Sequence, residues 1–260
     1  MIGLTGIVLL MFISSGYEDS NGNTYSIWEL ITSLNSMNSV ISTGITGNKL
    51  LDQAAMGGMF RVFCVLCTGV GYTMMLSEER TSGFIRFSIF QTKTHRYVLA
   101  KFVSGTIYGG LMASVGFLLY VLFLSVILAS QGVLVGIIKL SSDIVIVFIQ
   151  YLGGVFLFGI FQNAFIFFYA AWIKNKYLLL SIPFFVEYLY LQFLYAYMNQ
   201  LIDSMKLEHF NFFSNLNPYV LIYSFTQYGK IWIGGLWLLA SLLPGAVYFW
   251  GMSRRLDKGE

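Results

Sequence analysis

"SEERTSGFIRFSIFQTKTHRYVLAKF", residues 77–102, is the stretch on which the reading of this sequence turns. It holds Arg80, Arg86, Lys93, Arg96 and Lys101, five of the fifteen Lys and Arg residues of the chain, together with Glu78, Glu79 and His95. Long apolar runs with almost no charge flank it on both sides. A charged island between such runs marks a place where the chain leaves one solvent for another.

The rest of the composition says which solvent. Of 260 residues, 57% are hydrophobic and 10% charged, against roughly 25% charged in an ordinary soluble domain. Mean hydropathy is +0.72. A chain of this kind cannot cover itself with polar surface in water, so its surroundings are expected to be largely lipid. The net charge of +3 gives no support to a nucleic-acid-binding stripe. Cys64 and Cys67 have the C-x-x-C spacing of redox and metal sites, but they stand inside the apolar run "FRVFCVLCTGVGYTMML". There they read as small packing residues, with no disulfide framework and no metal expected.

A helix crosses the hydrocarbon with about 20 apolar residues at a rise of about 1.5 Å each. On that rule the sequence predicts an all-α polytopic membrane protein with one transmembrane domain over residues 1–260 and six spans. These are Met1–Ser15, Leu51–Leu76, Tyr97–Ala129, Asp143–Ile173, Tyr177–Met198 and Ile231–Met252. The first is short. It lacks a basic stretch and an A-x-A-like cleavage site, which argues against a signal peptide and leads us to expect a further segment upstream. One side of the membrane would collect Arg80, Arg86, Lys93, Arg96, Lys101, Lys174, Lys176, Arg254, Arg255 and Lys258, and the other only Lys49, Lys139, Lys206 and Lys230. The positive-inside rule then places the charged segment 77–96 and both termini in the cytoplasm of a multi-pass cell-membrane protein.

Two outer segments remain, 16–50 and 199–230. In the first, Ile27, Leu30, Ile31, Leu34, Met37 and Ile41 recur at the three-to-four spacing of an amphipathic helix lying on the membrane or capping the bundle. The second is aromatic-rich and interrupted by Pro218. It reads either as an interfacial, partly re-entrant element or as a loop with aromatic anchors.

Within the charged segment, Thr81 or Ser82 can cap a helix whose positive N-terminal end Glu78 and Glu79 would favour. Phe84, Ile85, Phe87, Ile89 and Phe90 follow, spread almost round a helical wheel, while Ile85, Phe87 and Ile89 alternate as in a strand. Five apolar residues in a loop facing water call either for a partner or for the headgroup layer.

The same string resembles the cytoplasmic loop of membrane subunits of type-two ATP-binding-cassette (ABC) exporters. The shared pattern is an acidic-basic start (Glu78, Glu79, Arg80), a Ser-Gly step (Ser82, Gly83) and the short apolar "FIRFSIF" of residues 84–90. A polar turn ending in Arg96 follows, and Lys101 opens the next span. The six-span plan, the long outer segment before the last span and the short basic tail also match. Two features depart: no amphipathic helix precedes the first span, and Gln91-Thr92 stands where the turn customarily has proline. The resemblance implies that Glu78, Glu79, Arg80, Gly83, Phe84, Ile85, Arg86, Phe87, Ile89, Phe90 and Arg96 form a coupling helix. In the family this helix sits in a groove of the ATP-hydrolysing subunit.

No G-x-x-x-x-G-K-[ST] string occurs in the chain, and "GITGNKL" fails it on spacing. ATP and Mg would therefore belong to a separate ATPase subunit, beside a second permease copy or sister permease in a bacterial plasma membrane. The implied activity is export of an amphipathic or hydrophobic cargo such as a peptide, lipid or drug. The alternative is a non-transporting anchor or sensor subunit of a larger complex. An enzyme is not expected. The E-E-x-x-x-R motif of some membrane proteases would need arginine where Gly83 stands, and H-x-x-x-N would need asparagine at Leu99 or Phe213. H-E-x-x-H is absent as well.

Arg61 and Glu187 are the two ionisable residues deep within the predicted spans. A charge at the bilayer centre costs about 2.5–3.5 kcal/mol on insertion scales, so each needs a partner, a cavity or the bundle interior. Counted along their spans, the two fall at similar depth. They are read as a charge pair bracing the pathway, or else as each meeting a separate polar group such as Gln150, Gln162 or Asn163. Gly105 and Gly109, extended by Ala113, make a G-x-x-x-G step suited to close packing within the subunit or, less favoured, to a dimer seam.

Overall fold

The structure is a computed structural model that describes residues 3, 5–9, 16–18, 24–26, 58–130, 142–203, 212–226 and 230–257. Its long elements are helices: α1 Gly58–Thr81, α2 Phe84–Gln91, α3 Thr94–Ser130, α4 Ser142–Ala170, α5 Lys176–Asp203, α6 Val220–Tyr223 and α7 Ile231–Asp257. Residues 5–9 and 212–215 are also helical. The all-helical expectation needs one amendment. Strands β1 Gly16–Glu18 and β2 Thr24–Ser26 pair antiparallel, with Tyr17 opposite Tyr25. Asn21-Gly22 lies between them in sequence, the dipeptide that most favours a hairpin. The amphipathic helix expected over 27–41 lies outside the described residues.

Among the described residues, four helical stretches are long and apolar enough to cross a membrane: Thr94–Phe123, Val145–Ala170, Lys176–Leu201 and Ile231–Asp257. They correspond to the third through sixth predicted spans. α1 carries Glu78, Glu79 and Arg80 near its end and is not one of the four. Of the first predicted span, only residue 3 and residues 5–9 are described. Several helices run beyond the apolar stretch that signalled them: α5 to Asp203 and α7 to Asp257. α5 and α7 also tolerate internal prolines, Pro183 and Pro244, each of which removes the helical donor for the carbonyl four residues earlier.

α4 is the central helix, packed against α3, α7, α1, α5 and α6. Small residues make its seam with α3. A side chain on Gly105 would run into Phe167, one on Gly109 into Asn163 and one on Gly110 into Phe156, all on α4. The core has two parts. One gathers Phe117, Tyr120, Tyr151 and Phe158 with Leu221 and Ile222. The other gathers Leu76, Ile85, Val98, Phe167, Leu179 and Tyr248. This second cluster underlies the end of the bundle where α1, α4 and α7 finish and α3 and α5 begin. It is called here the basic end.

Candidate functional site

The basic end is built by two tight turns around α2. α1 closes with the Ser82 N–H donating to the Glu78 carbonyl at 2.9 Å. Gly83 then takes a left-handed conformation, φ 74°, which a residue with a Cβ adopts at a cost of roughly 1–2 kcal/mol. That single reversal lets α2 start at Phe84. At the other end Thr92 is extended (φ −131°), and its N–H donates to the Ser88 carbonyl at 3.0 Å. Proline could neither take that φ nor donate that bond, a local reason for a residue other than proline at position 92.

α2 explains why its periodicity looked mixed. Ile85 is buried and Ile89 half-buried, one turn apart, both packed on the second core cluster. Phe84, Phe87 and Phe90 face outward with 56%, 63% and 91% of their surface exposed. Two apolar faces, one inward and one outward, leave no single stripe for a wheel to find. The helix holds and the strand alternative falls, but the cap expected of Thr81 or Ser82 is replaced by Gly83 at the N-cap, which makes no side-chain cap bond.

The acidic-basic start of the segment ties helices together. Each of its three residues reaches a different element. Glu78 lies 3.7 Å from Lys176 at the start of α5, an exposed pair of small worth. Glu79 meets α3 with both oxygens, accepting from Lys101 Nζ at 2.6 Å and from the Tyr97 hydroxyl at 2.8 Å. The Lys101 and Glu79 side chains are only 18% and 12% exposed, so this is a largely desolvated ion pair. Arg80 donates through Nη1 to the carbonyls of Ala170 and, at 3.2 Å, Ile173. Ser77 donates to the Lys174 carbonyl at 2.9 Å and Arg255 to that of Trp172 at 3.3 Å. The last carbonyls of a helix lack internal donors and carry its negative dipole end, so two arginines from α1 and α7 are well placed at the end of α4.

The partners Ser77, Tyr97, Lys174 and Arg255 were not singled out by sequence. Lys174 and Arg255 entered only as topology charges. The available signal was that three helices would end together and need cations there.

Between α2 and these helix ends opens a cleft of about 420 Å³. Arg80, Arg86 and Lys174 supply charge to its wall, Thr81, Ser82 and Gly83 line it, and Ile85, Ile89 and Leu256 give it an apolar floor. Among the described residues, no carboxylate lines it. Arg96 is exposed on the first turn of α3 and does not line it.

Inside the bundle, Glu187 on α5 is 6% exposed and accepts from the Gln162 side-chain amide at 2.6 Å. Glu187 Oε2, Gln162 Oε1 and Asn163 Oδ1 are buried without a hydrogen-bond partner among the described residues. Arg61 belongs to α1, but its side chain lies outside the described residues, and the expected Arg61–Glu187 pair with it. Cys64 is buried and Cys67 half-buried, both as free thiols. Comparison of the chain with family models, with curated proteins and with solved structures finds no match.

Proposed function

We propose that this chain is the membrane-spanning permease subunit of an ABC exporter, with α2 as the helix that docks on a separate ATPase. The observation that carries the reading is the outward row of Phe84, Phe87 and Phe90 on a helix whose other face is anchored by Ile85 and Ile89. A rigidly seated helix showing three aromatic rings to water is suited to fill a groove, since buried aromatic anchors dominate interface energetics. The anchoring matters as much as the rings. Gly83 joins α2 directly to α1, and Glu79 and Arg80 tie α1 to α3 and to the end of α4, so a push on α2 would be felt at the ends of several long helices.

In this reading the six spans stand with the basic end and both termini in the cytoplasm, and a second permease copy or sister permease completes the pathway. Glu78, Glu79 and Arg80 shift in role. The last two brace α1 against α3 and the end of α4, leaving Phe84, Phe87, Phe90, Arg86 and Arg96 to meet the ATPase. The cargo is amphipathic or hydrophobic, and ATP and Mg stay on the partner.

The test is a mild-detergent pull-down of the tagged chain from its native host, beside a Phe87→Glu preparation. Phe87 is exposed, so the variant is expected to fold. An ATP-binding subunit that comes with the parent and is lost with Phe87→Glu supports the reading. Recovery of folded parent chain without any ATPase rejects it in favour of the anchor or sensor role.

A further inference from the structure

The cleft beside α2 shares only Arg86 with the surface proposed for ATPase docking. We propose that it is a binding site for the phosphate-bearing headgroup of an anionic phospholipid, drawn from the leaflet at the basic end. The inference rests on the chain lying in a membrane and does not require that it be a permease.

Among the described residues, three cations, Arg80, Arg86 and Lys174, and no carboxylate line the space, so the field they set inside it favours an anion. Arg80 is half-buried and held in place by its bonds to the Ala170 and Ile173 carbonyls. Those bonds use Nη1, and the guanidinium keeps Nε–H and the two N–H groups of Nη2 as further donors. A pre-positioned guanidinium suits a phosphate, whose oxygens accept paired N–H groups. Lys174 adds a flexible point charge from the loop between α4 and α5.

The floor decides against a free anion. Ile85, Ile89 and Leu256 give the cleft an apolar side that inorganic phosphate would leave in contact with charge and water. A phospholipid offers both chemistries at that spacing, a phosphate and, next to it, glycerol and the first methylenes of a chain. Basic pockets between helices at the cytoplasmic membrane face are a recurring place for such headgroups. The volume of about 420 Å³ lies within the range of roughly 300–1,000 Å³ typical of small-ligand sites. The occupant would sit against Ile85 and Ile89, the residues that seat α2, and so make the position of α2 dependent on lipid.

The full chain would be reconstituted in phosphatidylcholine nanodiscs with and without phosphatidylglycerol, and lipid retained by the ejected protein read by native mass spectrometry. Parent protein is expected to retain phosphatidylglycerol in preference to phosphatidylcholine. Arg86→Gln/Lys174→Gln should lower that retention by at least about tenfold, from the loss of two basic contacts to an anionic lipid. Lys93→Gln/Arg96→Gln changes net charge equally outside the cleft and should leave retention unchanged. Arg86→Lys/Lys174→Arg keeps both charges while altering the same side chains, so it guards against misfolding and should keep the preference for phosphatidylglycerol. Equal loss in the cleft and control variants overturns the proposal, as does the absence of a phosphatidylglycerol preference. Millimolar inorganic phosphate that displaces the lipid completely would also overturn it, assigning the cleft to a free anion.

Discussion

Replacing Gly159 by alanine tests whether the α3–α4 seam is as close as the structure shows. The new Cβ would stand 2.5 Å from the Gly109 carbonyl oxygen, 2.9 Å from the Gly110 Cα and 2.9 Å from the Ala113 Cβ. Ordinary carbon contacts lie at about 3.5–4.0 Å, so the two helices must part locally by roughly 1 Å. Two of the three atoms are backbone and cannot rotate away. Overpacking of this kind costs about 1–3 kcal/mol, while glycine to alanine inside a helix returns up to about 1 kcal/mol. The net expectation is a loss of about 1–2 kcal/mol, or a fall in Tm of roughly 2–8 °C for a chain of this size.

Gly235→Ala is the matched control. Its Cβ meets nothing within 4 Å, so only the propensity term acts and stability should hold or rise by up to about 1 kcal/mol. The assay is thermal unfolding of both variants and the parent in one detergent, followed by cysteine-independent aggregation or circular dichroism. Gly159→Ala as stable as Gly235→Ala would refute the reasoning, because helix propensity alone would then account for both.

Three other outcomes follow from the basic end and the bundle interior. Gly83→Ala meets open space but must hold φ 74°, so it should cost about 1–2 kcal/mol. Gly83→Asn should cost less, and equal stability of all three proteins in denaturant would remove the strained turn from the account. Glu79→Gln and Lys101→Met each break a largely desolvated pair and should destabilise by about 1.5–3 kcal/mol. The double variant should fall short of their sum by at least about 1 kcal/mol, whereas additivity within about 0.5 kcal/mol would mean the two side chains do not interact. Glu187→Gln keeps an acceptor for the Gln162 amide and should change stability by less than about 1 kcal/mol. Glu187→Leu orphans that buried amide at about 1–3 kcal/mol, and the opposite ranking in unfolding measurements would count against the Gln162 contact.

Much of the helical plan could be read from hydropathy, though not its limits. The last span was expected to end at Met252, yet α7 continues through Arg254 and Arg255 to Asp257. Hydropathy marks which residues suit lipid, while a helix ends where its hydrogen-bond ladder loses partners. In α7 the polar turn still has work, since Arg255 reaches the Trp172 carbonyl. α2 was ambiguous for a different reason. Ile85 and Ile89 serve an intramolecular core and the three phenylalanines an outer surface, and a single-sequence pattern adds the two faces together.

The site divides the same way. The sequence located it, because a charged island in an apolar chain is a property of composition and needs no fold to be seen. Gly83 entered only as part of a Ser-Gly step, and its left-handed φ of 74° between α1 and α2 is visible only in the structure. The sequence assigned Glu78, Glu79 and Arg80 together to one outward role, and the structure separates them. Glu79 meets Tyr97, 18 residues on, and Arg80 meets the Ile173 carbonyl, 93 residues on. Composition and rise per residue act locally, so the sequence alone determined an apolar helical chain with one concentrated island of charge. Which charge ties which helix, which side of α2 faces out and that a basic cleft opens beside it were decided only by tertiary packing, because each depends on residues brought together from far along the chain.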